Sequence, residues 1–139
     1  MARAVLDPNV LVSALISPAG PSAQLLLELR AGAFELLTSS HLLAELDDVV
    51  RREKFRRYVT EDEASVFIEL IRAESTVIDD REPSLVSLSD DPGDDYLIAL
   101  ARAAHVDALV SGDPHLLRLR ELVPVRTPRE FLELLVADG

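Results

Sequence analysis

The chain has 139 residues, 48% of them hydrophobic, and its 25 acidic and 14 basic side chains give a formal net charge of −11. This composition fits one compact domain at residues 1–139, and the absence of cysteine excludes disulfides and thiolate metal sites. The acidic excess argues against non-specific nucleic-acid binding, and the short apolar runs argue against a signal peptide or membrane span, so we expect a cytoplasmic protein without membrane contact.

The first half of the chain alternates short apolar segments with helical patterns. Ser39-Ser40 offers a helix N-cap, and Thr60-Glu61-Asp62-Glu63 fits a capping box that begins a helix ending near Ala73. The other predicted elements, in chain order, are a strand at Ala4–Leu6, a helix at Val10–Ile16, a helix at Pro21–Arg30, a strand at Phe34–Leu37 and a helix at Ser40–Arg52.

The second half of the chain continues this alternation. A strand at Thr76–Ile78 is followed by a polar loop that ends at Asp91-Pro92-Gly93, and Thr127-Pro128-Arg129-Glu130 begins a last helix with a capping box and a proline. A helix at Asp94–Ala104 and a strand at Ala108–Val110 lie between them. Short apolar strands alternating with helices indicate a parallel sheet covered on both faces, so the predicted fold class is α/β.

Two aspartates follow predicted strands directly. Asp7 comes after Val5-Leu6, and Asp113 comes after Leu109-Val110-Ser111-Gly112. Ligands of parallel α/β sheets bind beyond the carboxyl ends of the strands, which all point the same way. We therefore expect both carboxylates to lie at the same edge of the sheet.

Helices supply the remaining candidate acids. Glu45 and Asp47 lie at opposite borders of the apolar stripe of their helix, so periodicity does not choose between them. Asp94 lies at the edge of the apolar stripe of the next candidate helix, whereas Asp95 points away from it. Both also occupy a first helical turn, where acids are favourable without any other role.

Carboxylates that converge on one point repel each other and raise each other's pKa values unless a cation neutralises them. Oxygen ligands without histidine or cysteine suit Mg²⁺ or Mn²⁺, and such sites commonly serve phosphate chemistry. The chain has no G-x-S-x-G, P-loop or G-x-G-x-x-G motif. We interpret Tyr96 and the four phenylalanines as core residues and not as platforms for base stacking.

With these acids and elements in this order, the chain resembles a PIN-domain ribonuclease, and it is most similar to the toxin component of bacterial toxin–antitoxin pairs. The resemblance covers nearly the whole chain and implies a three-layer α/β/α fold with a central parallel sheet. The matching segments, in order, are VLDPNVLVSAL, SSHLLAELDDVV, REKFRRYVTEDE, DDPGDDYLIALARAAHVDALVSGDPHLL and VRTPREFLELL.

The resemblance implies four metal-binding carboxylates. It selects Glu45 over Asp47 and leaves two candidates for the third position, because helical phase favours Asp94 whereas alignment on the L-I-A segment favours Asp95. The implied catalytic and metal-binding residues are Asp7, Glu45, Asp94 or Asp95, and Asp113.

The first strand-end motif departs from the family pattern at one position. Pro8 stands where the family usually has a threonine, which leaves out a hydroxyl near Asp7. Asn9 is expected to hold the loop or the Asp7 carboxylate, and Ser111 stands where such proteins often have threonine or serine. Pro8 is compatible with a first helical turn, where its missing N–H costs little.

The resemblance implies an Mg²⁺- or Mn²⁺-dependent endoribonuclease that forms a homodimer and is inhibited by a small antitoxin protein. A non-catalytic PIN-fold module that binds RNA or protein is the first alternative, and a phosphohydrolase acting on small molecules is the second. The expected RNA contacts form a basic cluster, whose other interpretation is a solvated helix end. This cluster consists of Arg51, Arg52, Lys54, Arg56 and Arg57.

Overall fold

The computed structural model describes residues 1–78 and 95–138, the side chains of Asp95 and Asp138 excepted. In these residues five strands form one sheet, in the order β3-β2-β1-β4-β5, and every neighbouring pair is parallel. The predicted α/β class is therefore confirmed. The strands are β1 (Ala2–Leu6), β2 (Phe34–Ser39), β3 (Ser75–Ile78), β4 (Ala108–Val110) and β5 (Val125–Arg126).

Helices connect the strands and form α/β/α layers with the sheet. Among the described residues, no single helix is long and apolar enough to cross a membrane; the helices at Pro8–Ile16 and Pro21–Arg30 pass that test only as a pair bent by 97°. The helices are α1 (Pro8–Ile16), α2 (Pro21–Arg30), α3 (Ser40–Val50), α4 (Glu61–Ala73), α5 (Asp95–Ala103), α6 (Pro114–Leu117) and α7 (Pro128–Asp138).

The centre of the sheet is the most buried part of the protein. β1 pairs with β2 on one side and with β4 on the other, and its residues Ala4, Val5 and Leu6 are fully buried. Strands of this kind are covered on both faces, which explains why their sequences are continuously apolar. The register sets Leu6 beside Val110, so the residues that follow β1 and β4 emerge side by side.

Two helix boundaries differ from the predicted ones for local reasons. α1 begins at Pro8 and not at Val10, because the Asp7 side chain caps the helix and proline fits its first turn. α3 ends at Val50, two residues before the predicted end at Arg52, and a short 3₁₀ turn follows at Glu53–Phe55. Both capping boxes, in contrast, form as predicted.

The short elements after β4 were not predicted. β5 has two residues and α6 has four, so neither carries a periodic pattern long enough to recognise. β5 exists because Val125 and Arg126 pair with the edge of β4. The predicted loop to Asp91-Pro92-Gly93 and the predicted helix start at Asp94 lie outside the described residues.

Candidate active site

The two strand-end aspartates lie at the same edge of the sheet, as the strand pattern predicts. Asp7 follows β1 and Asp113 follows β4, and the two strands are neighbours. The backbone N–H of Asp7 donates to the carbonyl of Val110 at 3.0 Å, which ties the end of β1 to the end of β4. The sheet therefore brings together two carboxylates that are separated by more than a hundred residues of sequence.

The Asp7 carboxylate is buried, with 4% of the residue exposed. One oxygen accepts the backbone N–H of Asn9 at 3.0 Å, and the other accepts the Ser111 hydroxyl at 2.8 Å. Asn9 thus holds the Asp7 carboxylate through its main chain, whereas its side chain is exposed. These two bonds fix the orientation of the carboxylate.

Ser111 links the two aspartates. Its side chain is fully buried, donates to Asp7 and accepts the backbone N–H of Asp113 at 3.0 Å. The Asp113 carboxylate in turn accepts the N–H of His115 at 2.9 Å and caps α6. One serine hydroxyl therefore connects both strand-end turns, and it supplies the hydroxyl beside Asp7 that Pro8 lacks.

Burial raises the pKa of the Asp7 carboxyl above its ordinary value. The hydrogen bonds from Asn9 and Ser111 oppose this shift, whereas the nearby carboxylates of Asp113 and Glu45 raise the pKa further. Both of these acids therefore lie close enough to Asp7 for their charges to act on it. A cation at this position would favour the ionised form of Asp7.

Glu45 and Asp47, between which helical periodicity could not choose, have different surroundings in the structure. Glu45 is half-buried on the side of α3 where its charge reaches Asp7. Asp47 lies on the other border of the apolar stripe and pairs with Arg51 one turn later, with an oxygen–nitrogen distance of 2.8 Å. Asp47 therefore belongs to the contact between α3 and α4, and Glu45 belongs to the candidate site.

Tyr96 holds Glu45 and was interpreted from sequence only as a core residue. Its ring is half-buried and packs against the core, while its hydroxyl donates to the Glu45 carboxylate. The ring also stacks on the exposed imidazole of His41, with centroids 4.0 Å apart and planes 6° from parallel. The sequence contained one signal of these contacts. His41 and Glu45 are four residues apart and lie on the same face of α3, so one aromatic side chain can contact both.

A cavity of about 390 Å³ opens beside the two aspartates. We call it the Asp7 cavity. Its lining includes Asp7, Asn9, Ser13, Ser22, Asp113 and Pro128.

Comparison with known proteins identifies the family of this chain. The sequence profile of the PIN domain matches residues 3–115. The chain belongs to the PIN-domain family. A solved structure of VapBC2 from Rickettsia felis, bound to a DNA fragment from their promoter, contains a chain similar to this one at 19% sequence identity, with a TM-score of 0.60 over 90% of this chain and 98% of that one. None of the curated proteins matches this sequence significantly.

PIN domains are in general nucleases that use divalent metal ions. In residues 1–78 and 95–138, no three His, Cys, Asp or Glu side chains lie close enough together to form a complete metal site. The chemistry of these side chains nevertheless suits a hard divalent cation, since Asp7 and the two acids whose charges act on it, Asp113 and Glu45, all offer carboxylate oxygens. Asp94 and the Asp95 side chain lie outside the described residues, so both remain predicted ligands.

Part of the basic cluster of this PIN domain is engaged in contacts within the chain. The Arg51 guanidinium pairs with Asp47 and Glu61 and donates to the Ser65 hydroxyl at 2.8 Å. Arg56 also pairs with Glu61, at 2.6 Å. Arg51 therefore joins α3 to α4, which is a role that the charge pattern alone did not indicate.

The other cations of the basic cluster are more exposed. Arg52 pairs with Asp48 at 3.4 Å, and surface pairs of this kind contribute little free energy. Lys54 lies over the ring of Phe55, and Arg57 lies over the ring of Tyr58. Arg52, Lys54 and Arg57 are consequently better candidates for phosphate contacts than Arg51.

Proposed function

We propose that this PIN domain is an Mg²⁺- or Mn²⁺-dependent endoribonuclease that hydrolyses phosphodiester bonds of RNA. One observation carries the proposal: the buried Asp7 carboxylate is joined to Asp113 through Ser111, and Glu45 lies close enough to raise its pKa. Burying an ionisable carboxyl beside two others is unfavourable unless a cation is bound there. Such an arrangement is typical of functional sites and is hard to explain as surface charge.

Each residue of the site has a distinct part in this proposal. Asp7, Asp113 and Glu45 would hold the ion together with Asp94 or Asp95. Such an ion, when bound, supplies positive charge that stabilises the negative charge developing on a phosphate during hydrolysis.

The surrounding groups keep the carboxylates in place. The Ser111 hydroxyl and the backbone N–H of Asn9 each donate a hydrogen bond to a different oxygen of Asp7, and the Tyr96 hydroxyl donates to one oxygen of Glu45. Supports of this kind orient metal ligands and are important for affinity. The Asp7 cavity leaves room for a substrate phosphate beside the carboxylates of Asp7 and Asp113.

We further propose that the protein is the toxin of a toxin–antitoxin pair, acts in the cytoplasm as a homodimer and is inhibited by a small antitoxin. The structural similarity to a chain of VapBC2 supports the toxin–antitoxin part of this proposal, whereas the homodimer and the cytoplasmic location are implied only by the family resemblance. Arg52, Lys54 and Arg57 are the proposed contacts with the RNA backbone. Neutralising all three should weaken RNA binding and reduce its dependence on salt concentration.

The decisive experiment measures cleavage of a pool of structured and unstructured RNAs by the purified protein with Mn²⁺, Mg²⁺ or EDTA. An Asp7→Asn variant prepared identically is the matched control. We expect metal-dependent cleavage by the wild type and none by the variant. Equal cleavage by both proteins would point to a contaminating nuclease and contradict the proposal.

A non-catalytic RNA- or protein-binding module is the second candidate. Pro8 favours it, because this buried proline occupies the position at which the family usually has a hydroxyl. The module predicts RNA or protein binding that survives Asp7→Asn, with no cleavage by either protein. The Ser111 hydroxyl on Asp7 is the observation that favours the enzyme instead.

A further inference from the structure

Four helices, α1, α2, α6 and α7, begin around the Asp7 cavity, and they differ in how their first N–H groups are satisfied. Asp7 caps α1, Asp113 caps α6, and Thr127 with Glu130 forms the capping box of α7. The N-cap of α2 is Gly20, which provides no side-chain hydrogen bond. Since the first N–H groups of a helix lack partners within it and carry partial positive charge, α2 alone presents this charge without a carboxylate of its own.

Ser22 connects the beginning of α2 to the Asp7 cavity. It occupies the second position of the helix and lines the cavity, although only 4% of the residue is exposed. No hydrogen bond of its hydroxyl is found in residues 1–78 and 95–138. Among the described residues Arg126 Nε is the fully buried side-chain atom without a partner, so the Ser22 oxygen is reached from the cavity and its hydroxyl is available to a ligand there.

We propose that the beginning of α2 binds an RNA phosphate adjacent to the one that is cleaved, through the Ser22 hydroxyl and the first free N–H groups of the helix. Helix N-termini bind phosphate because their N–H groups and their dipole both favour an anion. The cleaved phosphate lies at the carboxylates in the proposed function, on which this inference depends. The neighbouring phosphate then lies at the end of the same cavity where α2 begins.

The site acts on substrate binding and not on the chemical step. A contact with a phosphate that does not react is equally strong in the ground state and the transition state. Losing it therefore raises KM and leaves kcat nearly unchanged. This pattern distinguishes the α2 site from the carboxylates, whose loss lowers kcat.

Gly20→Asp is the sharpest test. The backbone of Gly20 has φ −85° and ψ 170°, which any residue adopts, and an added Cβ would be 3.4 Å from the nearest atom, the Ser17 carbonyl oxygen. An aspartate there caps the N–H groups of Ser22 and Ala23, so the helix is at least as stable while the anion site is filled. We expect KM for an RNA oligonucleotide to rise about tenfold, kcat to stay within about twofold, and Tm to be unchanged or higher.

Two further variants isolate the cause. Ala19→Asp adds the same charge one residue earlier, at an exposed position that precedes the N-cap, and should change KM by less than about twofold. Ser22→Ala removes only the hydroxyl and should raise KM about threefold to fivefold. It also tests the proposal if Gly20→Asp fails to fold, which circular dichroism would reveal.

Binding of modified RNA locates the phosphate. In an Asp7→Asn background that cannot cleave, single methylphosphonate groups replace the charged phosphates of one oligonucleotide in turn. One replacement next to the cleaved position should weaken binding, and when Gly20→Asp is also present the same replacement should not weaken it further and should restore part of it, because the aspartate repels the charged phosphate.

The outcomes separate the two proposals. If the wild type cleaves RNA but Gly20→Asp and Ser22→Ala leave KM unchanged, the phosphate site is wrong and the nuclease stands. The same conclusion follows if every methylphosphonate acts equally in both backgrounds. If the wild type neither cleaves nor binds RNA, the proposed function is wrong and the phosphate site falls with it.

Discussion

Asp7-Pro8-Asn9 and Asp113-Pro114-His115 have the same local structure in different surroundings. In each, an aspartate follows a parallel strand and accepts the N–H two residues later, and a proline occupies the first helical position. Asp7 is 4% exposed, whereas Asp113 is half-buried and its two following residues are exposed. Local sequence therefore places a carboxylate at each strand end, and the rest of the fold decides its electrostatic environment.

The difference follows from the position of the strands. β1 lies at the centre of the sheet, between β2 and β4, and leads into the well-packed helix α1. β4 has only the two-residue β5 beyond it and leads into the four-residue helix α6. Consequently Asp7 loses most of its contact with water, and Asp113 does not.

Cleavage activity should show the largest contrast between the two turns. We expect Asp7→Asn to reduce cleavage at least about a thousandfold, because several kcal/mol of charge stabilisation are lost at the central ligand. Asp113→Asn should reduce it by roughly a hundredfold, since water can replace a half-exposed ligand more easily. Metal-dependent initial rates of the two variants, measured side by side, test this order, and equal losses would contradict it.

Removing the link between the turns should destabilise the protein. Ser111→Ala leaves the buried Asp7 carboxylate without one hydrogen bond and the Asp113 N–H without its acceptor. We expect the free energy of unfolding to fall by about 2–3 kcal/mol, as measured by urea denaturation. Ser111→Thr keeps the hydroxyl and should retain most of the stability; a loss as large as that of alanine would assign the effect to packing instead.

Replacing Asp7 should increase stability even though it removes activity. Burial holds the pKa of Asp7 above its ordinary value of 3.8, so the folded protein binds this proton more tightly than the unfolded chain does. The ionised carboxylate is therefore unfavourable in the folded state above that raised pKa, and the penalty is lost as the pH falls through it. An asparagine carries no such charge and can still accept the N–H of Asn9.

In EDTA, Asp7→Asn should raise Tm at pH 7 by a few degrees, the effect of about 1 kcal/mol in a domain of this size. The advantage should shrink as the pH approaches 4. Asp113→Asn is the comparison and should change Tm by less at both pH values. A variant at position 7 that is less stable than the wild type at pH 7 would show that the carboxylate is held favourably without metal.

Tyr96→Phe should have little effect on stability, and it tests why Glu45 lies near Asp7. The variant keeps the ring that stacks on His41 and removes the hydroxyl that donates to Glu45. We expect Mn²⁺ affinity to fall about tenfold, as for other groups that orient metal ligands, with little change in Tm. Calorimetric titration measures this directly, and Tyr58→Phe, at an exposed tyrosine, should leave the affinity unchanged.

Features set by neighbours along the chain were predictable from sequence. The capping boxes at Thr60 and Thr127 depend on residues three positions apart and form as predicted. The parallel sheet and the shared edge of Asp7 and Asp113 followed from the apolar strand pattern and the direction of parallel strands. Pro8 was judged compatible with a first helical turn, and it occupies the first position of α1, although that helix was predicted to begin at Val10.

Features that join distant parts of the chain required the tertiary structure. Helical phase left both Glu45 and Asp47 open and the family resemblance selected Glu45, but only the packing of α3 shows that the charge of Glu45 reaches Asp7. The Ser111 hydroxyl reaches Asp7 across 104 residues because β1 and β4 are hydrogen-bonded neighbours. The burial of Asp7 likewise reflects the place of β1 in the sheet, since desolvation depends on every group that surrounds a carboxylate.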